Sequence, residues 1–136
     1  MDATFADTSA LYAVLDRDDA FHAEAAAGWR DLLEADRPLI THSYVLTEVV
    51  ALAQRRLGPV AVRVVHDDVV PVLAVVWVDE RLHSTGMTAL LAAARADVSL
   101  ADWISFEVMR ARGISHAFAF DRHFEQQGFT LIPPAP

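Results

Sequence analysis

The sequence predicts an α/β fold, a largely parallel sheet covered by helices on both faces. Three observations predict it. Short apolar segments alternate with segments of helical period along the whole chain, the pattern of repeated βα units. With 136 residues, 54% of them hydrophobic and 22% charged, the chain is long and apolar enough for one substantial core, which excludes a disordered protein. Aspartates directly follow two of the short apolar segments, at Asp7 and Asp121, the edge where open α/β sheets collect their sites.

Ala3–Ala6 reads as a short strand ending at Asp7, and Ser9–Leu15 as a helix broken by the acidic turn Asp16-Arg17-Asp18-Asp19. The next helix, about Ala20–Ala35, carries Phe21, Ala25, Trp29, Leu32 and Leu33 at helical spacing. Pro38–Thr41 is the second strand. Ser43 is expected to cap a helix running to Leu57 and stopped by Gly58-Pro59, since serine favours N-caps and this pair ends helices. Val60–Val70 is expected to be one further helix despite its β-branched residues, because Val60, Val64, Val65 and Asp68 recur near the helical period. Leu73–Val78 is the third strand and Arg81–Ala96 an alanine- and leucine-rich helix.

Residues 99–124 organise the rest. A helix begins at Ser99, presents Ile104, Val108 and Ala111 on one face, and stops at Gly113. His116–Phe120 is too short and aromatic for a helix and reads as a buried strand. Asp121 then opens a short helix, 122–127, before an edge strand at Phe129–Ile132. Residues 1–132 thus form a single domain, and the proline-rich 133–136 is expected to be a disordered tail.

Composition narrows the function. There is no cysteine, so thiolate metal sites, disulfides and cysteine nucleophiles are excluded. The N-terminus lacks the basic and apolar regions of a signal peptide. The most apolar run, Val69–Val78, falls far short of the roughly 20 residues a membrane span needs, so the cytoplasm is the expected location. A net charge of −8 argues against a general polyanion binder. All 11 basic residues are arginine.

Four acids stand out, and three have an ordinary alternative reading. Asp7 and Asp121 sit where N-caps sit, and Ser99-x-x-Asp102 has the spacing of a capping box. Glu48 differs: Tyr44, Val45, Ala51 and Leu52 are its helical neighbours, and a carboxylate on so apolar a face needs a partner or a ligand. Arg55 and Arg56 lie two turns away, so a metal fits better. A parallel sheet gathers Asp7, Asp102 and Asp121 on one edge, and clustered carboxylates repel unless cations neutralise them. With no histidine or cysteine at ligand spacing, an oxygen-only set selects Mg²⁺ or Mn²⁺.

Asp7-Thr8-Ser9-Ala10-Leu11, Thr47-Glu48-Val49, Ser99-Leu100-Ala101-Asp102 with Ser105-Phe106, and Ala119-Phe120-Asp121-Arg122-His123-Phe124 with Gly128-Phe129 resemble, in order and spacing, the PIN-domain ribonucleases. The closest resemblance is to the toxin component of VapBC-type toxin–antitoxin pairs. It implies a three-layer α/β/α sandwich with a mostly parallel central sheet, a four-acid metal site and endonuclease activity on RNA. By position, the acids are Asp7, Glu48, Asp102 and Asp121, with Ser9 and Ser105 as supporting hydroxyls. The resemblance also implies an antitoxin partner and a homodimer. Surplus apolar residues along Val60–Val78 support the dimer, and the acidic balance supports a basic-tailed partner.

In such a site Asp7 and Asp102 are expected to contact the principal metal, with Glu48 and Asp121 completing it. The metal would activate a water for in-line displacement at phosphorus. Ser9 and Ser105 would donate to a carboxylate or to the scissile phosphate. Arg110, Arg112 and Arg122, near the site in sequence, could hold flanking phosphates. Among alternatives, metal-free catalysis by His42, His116 and His123 leaves Glu48 unexplained. A Mg²⁺-dependent phosphoacceptor or phosphatase domain uses a lysine that this chain lacks. A P-loop nucleotidase lacks its motif. A catalytically silent PIN-like binding module is expected to have lost acids, and all four are present.

Overall fold

The structure, a computed structural model, describes residues 2–134. The elements follow the alternating order: β1 (Thr4–Ala6), α1 (Thr8–Leu15), α2 (His22–Glu34), β2 (Leu39–His42), α3 (Ser43–Arg56), α4 (Pro59–Val64), β3 (Ala74–Val76), α5 (Glu80–Ala93), α6 (Leu100–Arg112), β4 (His116–Phe118), α7 (His123–Gln126) and β5 (Thr130–Ile132). The sheet order is β3-β2-β1-β4-β5, and every pairing is parallel. Parallel neighbours need crossover connections, which is why helices fill the intervals.

The order fixes the position of the site. From β1 the chain steps outward through β2 to β3, then returns to the opposite side of β1 to place β4 and β5. Right-handed crossovers in opposite directions put their helices on opposite faces. In agreement, α1 packs on α2 and α3, whereas α5 packs on α6. The reversal lies between β1 and β4, whose register pairs Phe5 with Ala117 and Ala6 with Phe118. A crevice opens at such a point beyond the strand ends.

The core is aromatic at its centre. Phe5, Phe106, Phe118 and Phe124 are all fully buried, and Phe106 meets Phe124 edge-on at 5.1 Å and 84°, a favourable arrangement of ring quadrupoles. Gly113 ends α6 at φ 66, the left-handed conformation a side chain resists.

Several expectations need correction. Ser43 does not cap α3; the cap is His42, whose ring accepts from the Tyr44 and Val45 amides. Residues 60–70 are not one regular helix. The turn widens to a π-helix at Val65–Val69 and tightens to a 3₁₀ turn at Val70–Val72, where Pro71 brings no amide hydrogen to a helical ladder. The third and fourth strands are shorter than expected, and the tail expectation lies partly outside the described residues, at Ala135 and Pro136. Pro133 and Pro134 are described, and line a groove beside Phe21 and Phe120. No described helix is long and apolar enough to cross a membrane.

Candidate metal centre

Asp7 is the first residue beyond β1, and its position is doubly fixed. Its amide donates to the Phe118 carbonyl of β4 at 3.0 Å. Its carboxylate caps α1, accepting from the Ser9 hydroxyl at 2.7 Å and the Ser9 amide at 3.3 Å. The Ser9 oxygen in turn accepts from the Phe120 amide at 3.0 Å. A chain of donors therefore runs from the end of β4 through Ser9 to Asp7, across the switch point. The cap and the site are one arrangement.

Asp102 reaches the same cavity from the first turn of α6. The capping box is formed in full: the Ser99 amide donates to Asp102 at 3.0 Å, and the Asp102 amide donates to the Ser99 hydroxyl at 3.1 Å. Asp121 follows β4 and accepts from the His123 amide at 2.9 Å. Asp7, Ser9, Glu48, Asp102 and Asp121 all line one cavity of about 530 Å³. Carboxylate oxygens of Asp102 and Asp121, from this lining, and a ring nitrogen of His123 beside it come within 4.8 Å of one another. Asp7 and Glu48 face that trio across the cavity without joining it.

Crowding registers in the acids themselves. Burial, opposed by the Ser9 hydroxyl and reinforced by Asp102 and Asp121, pushes the Asp7 carboxyl up to about 7. Asp102 is raised by burial, with the Asp121 charge adding to it and the Ser99 amide opposing. Glu48 is raised by burial and then by Asp102. Acids held against their own ionisation are what a cation would relieve. Asp102, Asp121 and His123 offer it two oxygens and a nitrogen, so the residues present fit a divalent ion.

The remaining expectations divide. Glu48 is not inward: it is an exposed residue at the cavity wall, beside the buried stripe Val45, Val49 and Ala53. Ser105 is fully buried outside the cavity, donating to the Ala101 carbonyl at 2.9 Å and lying 2.8 Å from His42 Nε2. Of the supporting hydroxyls only Ser9 reaches the acids. Arg110 bonds Gln127 at 2.7 Å and sits 5.4 Å over the Phe129 ring, Arg112 ends α6, and Arg122 pairs with Glu125 at 3.1 Å. Asp102 lies in the first turn of α6, so Arg110 is about 12 Å along the helix from it. None of the three lines the acid cavity.

Two residues at or beside the cavity were not expected in the metal site. Arg56 is the one basic lining residue among the described residues; its guanidinium lies 5.4 Å over the Tyr12 ring. His123 adds a ring nitrogen to the expected oxygen set. Its Nδ1 lies 2.8 Å from Asp121, too poorly aligned for a hydrogen bond. Burial would lower its pKa, but Asp121 and Asp97 outweigh that and raise it. The signal was local: Asp121-x-His123 places both side chains at one strand end.

A parallel sheet with acids gathered at its switch point defines a metal-site class of α/β protein. The PIN domain model matches residues 4–129, and the chain belongs to the PIN-domain family. Among curated relatives it is 33% identical over 133 residues to the 23S rRNA-specific endonuclease VapC20 of Mycobacterium tuberculosis, covering 96% of this chain and 98% of the relative. The crystal structure of VapC20, described as a sarcin–ricin loop cleaving toxin, superposes with a TM-score of 0.81 at 32% identity, over 93% of this chain and 96% of that one. FitAcB from Neisseria gonorrhoeae shares the fold, with a TM-score of 0.66 at 12% identity over 94% and 95% of the two chains.

Proposed function

We propose that this chain is a metal-dependent endoribonuclease, the toxin of a toxin–antitoxin pair, with Asp7, Glu48, Asp102 and Asp121 as its site and Mg²⁺ or Mn²⁺ as its ion. The observation that carries the reading is the single cavity holding all four acids at the β1–β4 switch point. When bound there, a divalent ion supplies Lewis-acid stabilisation at phosphorus and a bound water of lowered pKa.

The chain's own residues do the rest. Asp102 and Asp121 would hold the ion. The His123 amide, donating to Asp121 at 2.9 Å, sets that carboxylate's orientation, as outer partners of ligating carboxylates do, and leaves the His123 ring nitrogen beside the two oxygens as a third ligand. Ser9 commits its proton to Asp7, so it orients that carboxylate rather than donating to phosphate. Asp7, held about half protonated near pH 7 without a cation, would be drawn to its ionised form by one, and faces the cavity from the end of β1. Glu48 closes the cavity from α3, and Arg56 is the cation placed to hold a flanking phosphate, in the role expected of Arg110, Arg112 and Arg122.

The partners follow from charge and exposed apolar surface. An antitoxin segment carrying arginine or lysine would pair with the acids and exclude both metal and RNA, and its grip would weaken with salt. Val60, 79% exposed, and Trp77, 71% exposed, fit the face of a homodimer; sedimentation of the purified protein as a monomer would count against it. The test of activity uses sarcin–ricin loop RNA, the named target of VapC20. Cleavage is expected in Mg²⁺ or Mn²⁺ and none in EDTA. Full cleavage in EDTA would overturn the metal mechanism.

A further inference from the structure

The acid cavity does not end at its carboxylates. Phe21 and Phe120 line it and also line an adjoining groove of about 340 Å³ floored by Ala119, Leu131 and Pro133. The two rings are stacked, with centroids 4.6 Å apart and planes inclined by only 10°. Phe21 is 48% exposed; with one face against Phe120, its exposure falls on the other face and the rim. We infer that this pair is a stacking platform for the nucleobase next to the scissile phosphate.

The platform is built rather than incidental. Phe120 precedes Asp121, and its amide is held by the same Ser9 hydroxyl that holds Asp7, so its ring is indexed to the acids. Phe21 sits at the N-terminus of α2, its amide held by Asp19 at 2.8 Å and its carbonyl by the Ala25 amide at 2.9 Å. A phenylalanine serving only to staple that helix end would be covered, as staples are. Phe21 instead leaves nearly half its surface in water at the cavity mouth.

Electrostatics favour the platform. A phosphate backbone is ordinarily gripped by lysine and arginine, yet this chain carries a net charge of −8, and among the described residues Arg56 is the one basic residue lining the acid cavity and Arg122 the one lining the adjoining groove. Stacking of a base on an aromatic ring requires no charge and tolerates any sequence. A base seated on Phe21 would place its adjoining phosphate toward the carboxylates. The inference rests on the ribonuclease reading and adds the subsite that reading lacks.

The experiment measures binding of labelled sarcin–ricin loop RNA in Ca²⁺, and cleavage in Mg²⁺. The intact RNA is compared with versions abasic at each nucleotide flanking the cleaved bond. In the wild type one abasic position should weaken binding by about 5- to 150-fold, the equivalent of the ~1–3 kcal/mol typical of one stacked base. Phe21→Ala should weaken the intact RNA similarly and lose the abasic penalty. Phe21→Leu, which keeps apolar bulk without a π-face, should behave like Phe21→Ala, while Phe21→Trp retains the penalty. Melting temperatures confirm that each variant is folded. An undiminished abasic penalty in Phe21→Ala overturns the inference while leaving the nuclease reading intact. So does unchanged RNA affinity with weakened antitoxin binding, which assigns the face to a protein. A wild type that binds RNA without cleaving it sinks the nuclease reading while the abasic comparison still decides the platform. A wild type that neither binds nor cleaves RNA overturns both.

Discussion

Replacing Asp7 by asparagine should stabilise the metal-free protein above neutral pH while abolishing cleavage. Asp7 is 5% exposed, and its carboxyl is raised from 3.8 to about 7. Between those values the folded protein keeps a proton that the unfolded chain has released, so stability falls as pH rises through the window. The whole loss is about 4 kcal/mol, at about 1.36 kcal/mol per pH unit. Asparagine keeps an oxygen to accept from the Ser9 hydroxyl and amide and carries no charge to desolvate.

A second buried group complicates the raw curve. His42 is fully buried, and burial, opposed by the Ala101 carbonyl, depresses it from 6.5 to about 4. There the unfolded chain binds the extra proton, so stability rises with pH by about 3 kcal/mol over the window. In wild type the two slopes oppose each other up to about pH 6.5, and decline follows above it. In Asp7→Asn the Asp7 slope is gone, and the histidine rise is opposed only by the raised Asp102 and Glu48 carboxyls that both proteins share. The difference between the curves isolates Asp7. It should be near zero at pH 4 and favour the variant at pH 8 by an amount of order 10 °C in Tm, at about 4 °C per kcal/mol for a domain of this size. Saturating Mg²⁺ stabilises the wild type by mass action, about 2.7 kcal/mol at 100 times Kd, and should narrow the gap. Calorimetry in EDTA across pH 4–8 decides it. If Asp7 were only a cap, asparagine, an equally good N-cap, would leave stability nearly unchanged at every pH, and that result would refute the reasoning.

Two further outcomes follow from the helices that carry the acids. His42→Ala removes the acceptor for two α3 amides and the group facing Ala101 and Ser105 of α6. At about 1–3 kcal/mol for each buried group left unpaired, chemical denaturation should show a loss of at least about 3 kcal/mol. In the fraction that folds, kcat should fall more than KM rises, because Glu48 and Asp102 lose their common tie. Gly86→Ala places a Cβ 2.5 Å from Ile104 Cγ1, where α5 crosses α6. Urea unfolding should show stability lower by about 1–3 kcal/mol for this overpacking, and an unchanged midpoint would show that α5 can withdraw freely.

What was legible in the sequence is what acts within a turn or two of chain. Asp7 after an apolar strand, the Ser99–Asp102 box and Gly113 past the last apolar turn each announce themselves locally, and parallel topology then brings them to one edge. His42 was missed as the cap because the neighbouring Ser43 satisfies the usual preference. The decision lies 59 residues away, where His42 Nε2 meets the Ala101 carbonyl. Glu48 was misjudged because its neighbours are apolar without all being buried: Val45, Val49 and Ala53 carry the core stripe, leaving Glu48 on its flank. Arg56 was dismissed on distance. Side chains on a helix lean toward its N-terminus, so a long arginine from the last turn of α3 can lie back over Tyr12 and enter the cavity. The same geometry explains why Arg110 and Arg112 do not. They stand at the far end of α6, the helix whose first turn carries Asp102, and leaning back along it leaves them short of the acids. Proximity in sequence favours them, but the direction of the helix favours Arg56.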